Sequence, residues 1–243
     1  MKETGEILSL EKIRAIQNWQ DHAWKSIVNG TSALDLETWA TLTRDLKIRE
    51  VDVFLGFMQP LLYQVGMAFQ VGDISVEQEH RFSASVEKYI KARGFAKPIF
   101  SVEDNAGICD FLLTLLPGNR HIFSVNFVAI QLHEDGINVR IAPDLPSVTA
   151  LIDYLEMVRP LVVGLSASMN EQLPILWEVL DTVKTMHRRP FEFAMLGGVA
   201  VRRKENIPEY SFAVRDPSVS SERVKVVRSL VAQAQARRLS TPS

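Results

Sequence analysis

The stretch FLLTLLPGNRHIFSVNFVAIQL, residues 111–132, changes character twice along its length. Phe111 to Leu116 form an apolar run of strand length. From Ser124 the chain continues as VNFVAIQL and reads as a helix to about Glu134. The segment is a strand handing over to a helix, with Asn119-Arg120-His121 in the connection. In an open α/β sheet such connections lie at the carboxyl ends of the strands, where neighbouring loops part and leave a crevice for ligands. His121 is placed where a side chain can meet one.

The alternation repeats downstream. INVRIA (137–142), PLVVGLSA (160–167), FEFAMLGG (191–198) and YSFAVR (210–215) are of strand length, with helices expected over Ser147 to Arg159 and Gln172 to His187. A last helix is expected from Ser221 to Arg238. Strands and helices in this order predict a parallel sheet covered on both faces. Residues 98–238 are thus expected to form an α/β domain with a doubly wound, parallel, five-stranded Rossmann-like sheet. Residues 8–95 show only helical spacing and predict an all-α helical bundle, with the hinge at Phe95 to Pro98. Within the bundle, Ser75-Val76-Glu77-Gln78 has the form of a capping box after the turn Gly72-Asp73. The preceding helix is expected from Pro60 to Phe69, and Trp19, Trp24 and Trp39 are expected to pack the bundle.

Composition narrows the function classes. With 243 residues, 47% apolar content and a net charge of −2, the chain can bury a full core and suits a soluble protein. No run of about 18 apolar residues occurs. The amino terminus MKETGEILSLEKIR is charged where a signal peptide is apolar, so a cytoplasmic location is expected. The single cysteine, Cys109, excludes an internal disulfide and a cysteine zinc site and reads as inert core. There is no GxGxxG and no phosphate-loop lysine motif. The acidic residues of a phospho-acceptor receiver are also missing, since Gly118-Asn119 and Ser166-Ala167-Ser168 occupy their places.

Three elements at the expected strand ends keep a definite spacing. Asn119-Arg-His121-Ile-Phe-Ser124 is followed by 41 residues and Ser166-Ala-Ser168, then by 28 residues and Gly197-Gly198. This resembles the cobalamin-binding domain family, whose signature is Asp-x-His-x-x-Gly with a serine and a glycine pair at about these separations. The resemblance implies that His121 is the axial ligand below cobalt, that Ser166 and Ser168 lie against the displaced base, and that Gly197 and Gly198 leave room for the nucleotide tail. Two positions depart from the pattern. Asn119 stands for an aspartate that fixes the tautomer of the ligating histidine and raises its basicity; it can accept the same N–H but brings no charge. Ser124 adds a side chain where the family has glycine.

The helical half carries a second resemblance. Residues 61–85, LLYQVGMAFQVGDISVEQEHRFSAS, look like the cap helices over the upper corrin face in light-responsive cobalamin repressors. Those carry Trp, nine residues and Glu-His, and here Phe69 precedes Glu79-His80 at that distance. The resemblance implies that Phe69, Glu79 and His80 contact the cofactor. The residues alone also admit plainer readings, with Phe69 a buried aromatic and Glu79-His80 a solvated pair on a capped helix.

The function expected on these grounds is that of a sensor: a tetrapyrrole-binding regulator or photoreceptor, not an enzyme, that reports light or redox state to a regulator protein. Self-association is left open. A corrinoid methyl carrier is the alternative, as is the same sensor with haem or a bilin such as biliverdin, because apolar walls and one histidine suit any of these pigments. Between Val183 and Arg238 twelve basic residues face five acidic ones. No helix-turn-helix or aromatic interleaving accompanies them, so solvated helix faces or a partner surface are expected rather than direct nucleic-acid binding.

Overall fold

The structure is a computed structural model that describes residues 10–30, 44, 58–92, 109–119, 122–217 and 220–240. The chain divides into two compact units, Met1–Ala96 and Lys97–Ser243. The expected hinge at 95–98 and Trp39 lie outside the described residues.

The first unit contains α1 (Leu10–Asn29), α2 (Gln59–Val71) and α3 (Val76–Ala92). Ile16, Trp19, Ala23 and Ile27 of α1 are buried at helical spacing, while Trp24 is half-buried. The capping box forms as the sequence predicts. Ser75 N–H donates to Gln78 Oε1 at 2.6 Å, and Gln78 N–H donates to Ser75 Oγ at 3.2 Å. Gln78 of the box also reaches α1, where its Nε2 donates to Val28 O at 2.6 Å, and Arg81 Nη1 donates to Gly30 O, just past the helix, at 2.6 Å. Carbonyls at the end of α1, which have no partner in their own helix, are thereby satisfied by α3 side chains.

Phe69 departs from the buried position expected of it. The inward stripe of α2 is Leu61, Val65 and Ala68. Phe69 follows Ala68 by one residue, a rotation of about 100°, and is 41% exposed.

The second unit is a five-stranded sheet in the order β2-β1-β3-β4-β5, with every pairing parallel. Its strands are β1 (Phe111–Leu115), β2 (Val139–Ile141), β3 (Val162–Ser166), β4 (Phe193–Gly197) and β5 (Ala213–Arg215). The edge strands β2 and β5 have three residues each, against five in the central ones, which limits exposed pairing groups. The expected strands INVRIA and YSFAVR therefore shorten, because each pairs on one side only.

Among the described residues five helices accompany the strands: α4 (Ile122–Glu134), α5 (Val148–Val158), α6 (Leu173–Thr185), α7 (Val199–Arg203) and α8 (Ser220–Ser240). The short α7 has no counterpart in the pattern of the sequence. Leu112, Val163, Leu165, Ala194 and Leu196 pack with Leu151, Leu155, Leu176 and Leu180 of α5 and α6. Phe111, Leu113, Val162, Phe193 and Met195 point the other way, onto Val125 and Ala129 of α4 and Val227 and Leu230 of α8. Alternation within nearly continuous apolar strands is what a doubly covered parallel sheet requires.

The basic residues of the carboxyl-terminal part have structural work. The Arg237 guanidinium lies 4.4 Å from the Phe193 ring centre and that of Arg189 lies 4.7 Å from Phe212. Arg238 donates to Arg159 O at 3.0 Å and to Pro160 O at 2.7 Å, fastening the end of α8 to the connection that enters β3.

Candidate functional site

Register gathers the spaced elements. Leu115 pairs with Ser166 and Ser166 pairs with Gly197, so one row crosses β1, β3 and β4 at their carboxyl ends. Strand order turns about between β1 and β3, which is where ligands sit in this architecture.

The chain leaves β1 through a tight turn. Asn119 N–H donates to Leu116 O at 2.9 Å, with Pro117 second and Gly118 third at a φ of +79°. Proline fixes the second position of such a turn and glycine accepts the positive φ of the third. The turn folds Asn119 inward, where it is 2% exposed. Its Nδ2 donates to Ser166 O at 2.9 Å and makes a longer contact of 3.4 Å to Ser168 Oγ. Only the amide nitrogen can donate to that carbonyl, so Asn119 does something here that an aspartate cannot.

The loop after β3 has a second support. Buried Gln172, in the short 3-10 turn Asn170–Gln172, accepts from Ser168 N–H at 2.7 Å and from Met169 N–H at 3.1 Å through Oε1. In the sequence Gln172 reads only as the start of a helix.

The glycine pair divides in two. Gly198 has φ 96° and ψ 163°, and a Cβ there would lie 2.0 Å from Ala167 O. Ala167 is held on the spot, since its N–H donates to Gly197 O at 3.0 Å and its carbonyl accepts Ala200 N–H at 3.2 Å. Gly198 is therefore required by the protein's own backbone. Gly197 is not, because a Cβ there meets nothing nearer than the Asp216 Cβ at 3.6 Å.

Beside Gly197 lies a buried ion pair that the sequence did not disclose. Arg223 donates through Nε to Asp216 Oδ1 at 2.6 Å and through Nη2 to Oδ2 at 3.0 Å, and its Nη1 donates to Gln131 Oε1 at 3.0 Å. Both charged side chains are 7% exposed. The network ties α8 to α4 and to the end of β5, with each charge opposed and hydrogen-bonded.

Among the described residues of this unit, Ile122 and Met169 leave large apolar side chains 46% and 44% exposed. Ile122 opens α4, the helix after β1, and Met169 lies in the loop after β3. The edge thus offers apolar surface beside hydrogen-bonded polar groups, the mixture typical of small-molecule sites.

His121 lies outside the described residues, as does the side chain of Ser124, although Ser124 itself is in α4. Ser166, Ser168, Gly197 and Gly198 are half-buried at the sheet edge. Phe69, Glu79 and His80 belong to the first unit. Glu79 accepts from Ser83 Oγ at 2.6 Å, and the imidazole of His80, 74% exposed, lies 3.7 Å from the Glu79 carboxylate. Cys109 is buried, and desolvation pushes its thiol up to about 12, partly offset by Arg140. It stays protonated at neutral pH and has no thiolate to offer as a nucleophile. No group of three or more His, Cys, Asp and Glu among the described residues could hold a metal ion, and no described helix is long and apolar enough to cross a membrane.

Among solved structures, the monomethylamine corrinoid protein of Methanosarcina barkeri resembles the chain with a TM-score of 0.65 and 17% identity, over 88% of this chain and 99% of that one. The chain shares the fold of that corrinoid protein. A cobalamin-binding protein of Desulfitobacterium hafniense aligns at 17% identity over 91% of this chain and 99% of that one, with a TM-score of 0.41. The methanol:cobalamin methyltransferase complex of Methanosarcina barkeri aligns at 14% identity over 94% and 86%, with a TM-score of 0.40. No protein-family profile and no curated protein sequence matches. Within the corrinoid-protein fold, Asn119, Ser166, Ser168 and the glycine pair occupy the carboxyl edge of the sheet.

Proposed function

We propose that the chain binds cobalamin at the carboxyl edge of its sheet and acts by contact with a regulator protein. The observation that carries this reading is the row Leu115-Ser166-Gly197, which sets two motif elements side by side at the end of the strand from which the third, beginning at Asn119, departs, and which includes a glycine that the protein's own packing does not require. A glycine at a ligand edge that the fold does not itself demand suits close approach by a ligand. The exposed apolar side chains of Ile122 and Met169 suit a broad ring, and the fold likeness to a corrinoid protein supports the same choice. When bound, cobalamin would supply a cobalt centre that responds to light, redox state or methyl transfer. The chain's part is to offer His121 as ligand, hold the Ser166 loop and keep Gly197 free of a side chain.

Incubating the protein separately with cobalamin, haem and biliverdin, then desalting and recording absorbance, tests this. Cobalamin is expected to be retained, with a spectrum that changes in His121→Ala. Retention of haem or biliverdin but not cobalamin would overturn the cofactor assignment.

A regulatory output is favoured by Asn119, whose neutral amide brings no charge to a ligating histidine. Light or a change of redox state should then alter the spectrum together with oligomeric state or partner affinity. The second reading, a corrinoid methyl carrier, is supported by the likeness to the monomethylamine corrinoid protein. Methyl transfer to a methyltransferase, with no response to light or redox state, would decide for the carrier.

A further inference from the structure

The loop after β3 hangs between two buried carboxamides used with opposite polarity. Asn119 donates to it, at Ser166 O and Ser168 Oγ; Gln172 accepts from it, at Ser168 N–H and Met169 N–H. We propose that Asn119 and Gln172 are positioning residues, one an obligatory donor and the other an obligatory acceptor, that hold Ser166-Ala167-Ser168 in ligand-ready geometry before any ligand arrives. The inference rests on the cobalamin reading for the ligand's identity but not for the clamp itself.

The two positions should therefore respond to the same exchange in an asymmetric way that shape does not predict. Changing an amide to the matching acid preserves size at either position. At 119 it removes the N–H donors and sets a carboxylate against the Ser166 carbonyl, acceptor against acceptor. At 172 it leaves an acceptor facing two backbone N–H groups, which suits a carboxylate at least as well as an amide. If both residues only filled space, the two exchanges would have similar effects.

The test uses the full chain at neutral pH with Asn119→Asp, Gln172→Glu and Gln172→Leu. Unfolding is followed without ligand, amide hydrogen exchange is measured at Ser168 and Met169, and cobalamin is titrated by absorbance. Asn119→Asp is expected to lower the unfolding midpoint of the ligand-free protein by about 5 °C, the scale for leaving a buried carbonyl without its donor. Gln172→Leu should expose the Ser168 and Met169 amides to exchange, and Gln172→Glu should restore their protection. An Asn119→Asp protein that melts like wild type, or a Gln172→Glu protein that falls as far as Asn119→Asp, would overturn the clamp. If the asymmetry appears in the ligand-free melts while wild type retains no cobalamin, the clamp stands and the cofactor reading falls.

Discussion

Gly198→Ala should be among the most damaging single changes in the α/β unit, lowering stability by more than about 4 kcal/mol and shifting the urea midpoint accordingly. Two terms add. The backbone at φ 96°, ψ 163° is a region used almost only by glycine, at a cost of about 1–3 kcal/mol for other residues. The new methyl would also lie 2.0 Å from Ala167 O, a backbone atom fixed by the Ala200 N–H. A backbone carbonyl cannot rotate aside as a side chain can. Gly197→Ala is the informative partner, because its methyl meets only Asp216 at 3.6 Å or beyond. It should change stability by less than about 1 kcal/mol while weakening cobalamin retention, which separates the glycine the fold needs from the one assigned to the ligand. Equal loss of stability in the two variants would contradict that division.

The second large effect is expected at the buried pair. Asp216→Ala leaves the Arg223 guanidinium, held at 7% exposure, without its carboxylate. Removing one partner of such a pair costs about 3–5 kcal/mol, because the remaining charge has been taken out of water. Arg223→Met should be comparably harmful, since it strips the Asp216 carboxylate of two donors and Gln131 of one. Replacing both together, Asp216→Leu with Arg223→Met, should be milder than the sum of the singles, as no uncompensated charge then remains. Denaturant unfolding of the three variants measures the coupling, and additive losses would mean that the pair contributes nothing as a pair.

Chain connectivity made much of the fold legible. The central strands of the second unit announced themselves by apolar runs, the edge strands came out shorter than INVRIA and YSFAVR, and Ser75-Val-Glu-Gln78 is a local signal whose partners lie within three residues. The spacing of Asn119, Ser166 and Gly197 is a by-product of parallel topology, in which every strand-helix repeat returns the chain to the same edge. What stayed hidden depends on partners far apart in sequence. Arg223 and Gln131 are 92 residues apart, and Asn119 and Ser166 are 47 apart. Arg189 and Arg237 read as surface charge until the rings of Phe212 and Phe193 are brought beneath them.

Asn119 shows the division most clearly. By sequence alone it is a worn aspartate, because a motif compares residue types and is blind to which atom of a side chain meets which neighbour. Periodicity, turn residues and capping are properties of a few consecutive residues, so the sequence determined the two-part layout, the parallel sheet and the edge at which its motif gathers. Hydrogen-bond polarity, the steric room at each glycine and the pairing of buried charges are set by atoms that only folding brings within reach. Tertiary structure therefore decided that Asn119 is a donor, that Gly198 is required by the backbone around it, that Gly197 could carry a methyl without a clash and that Phe69 lies off the buried stripe of its helix.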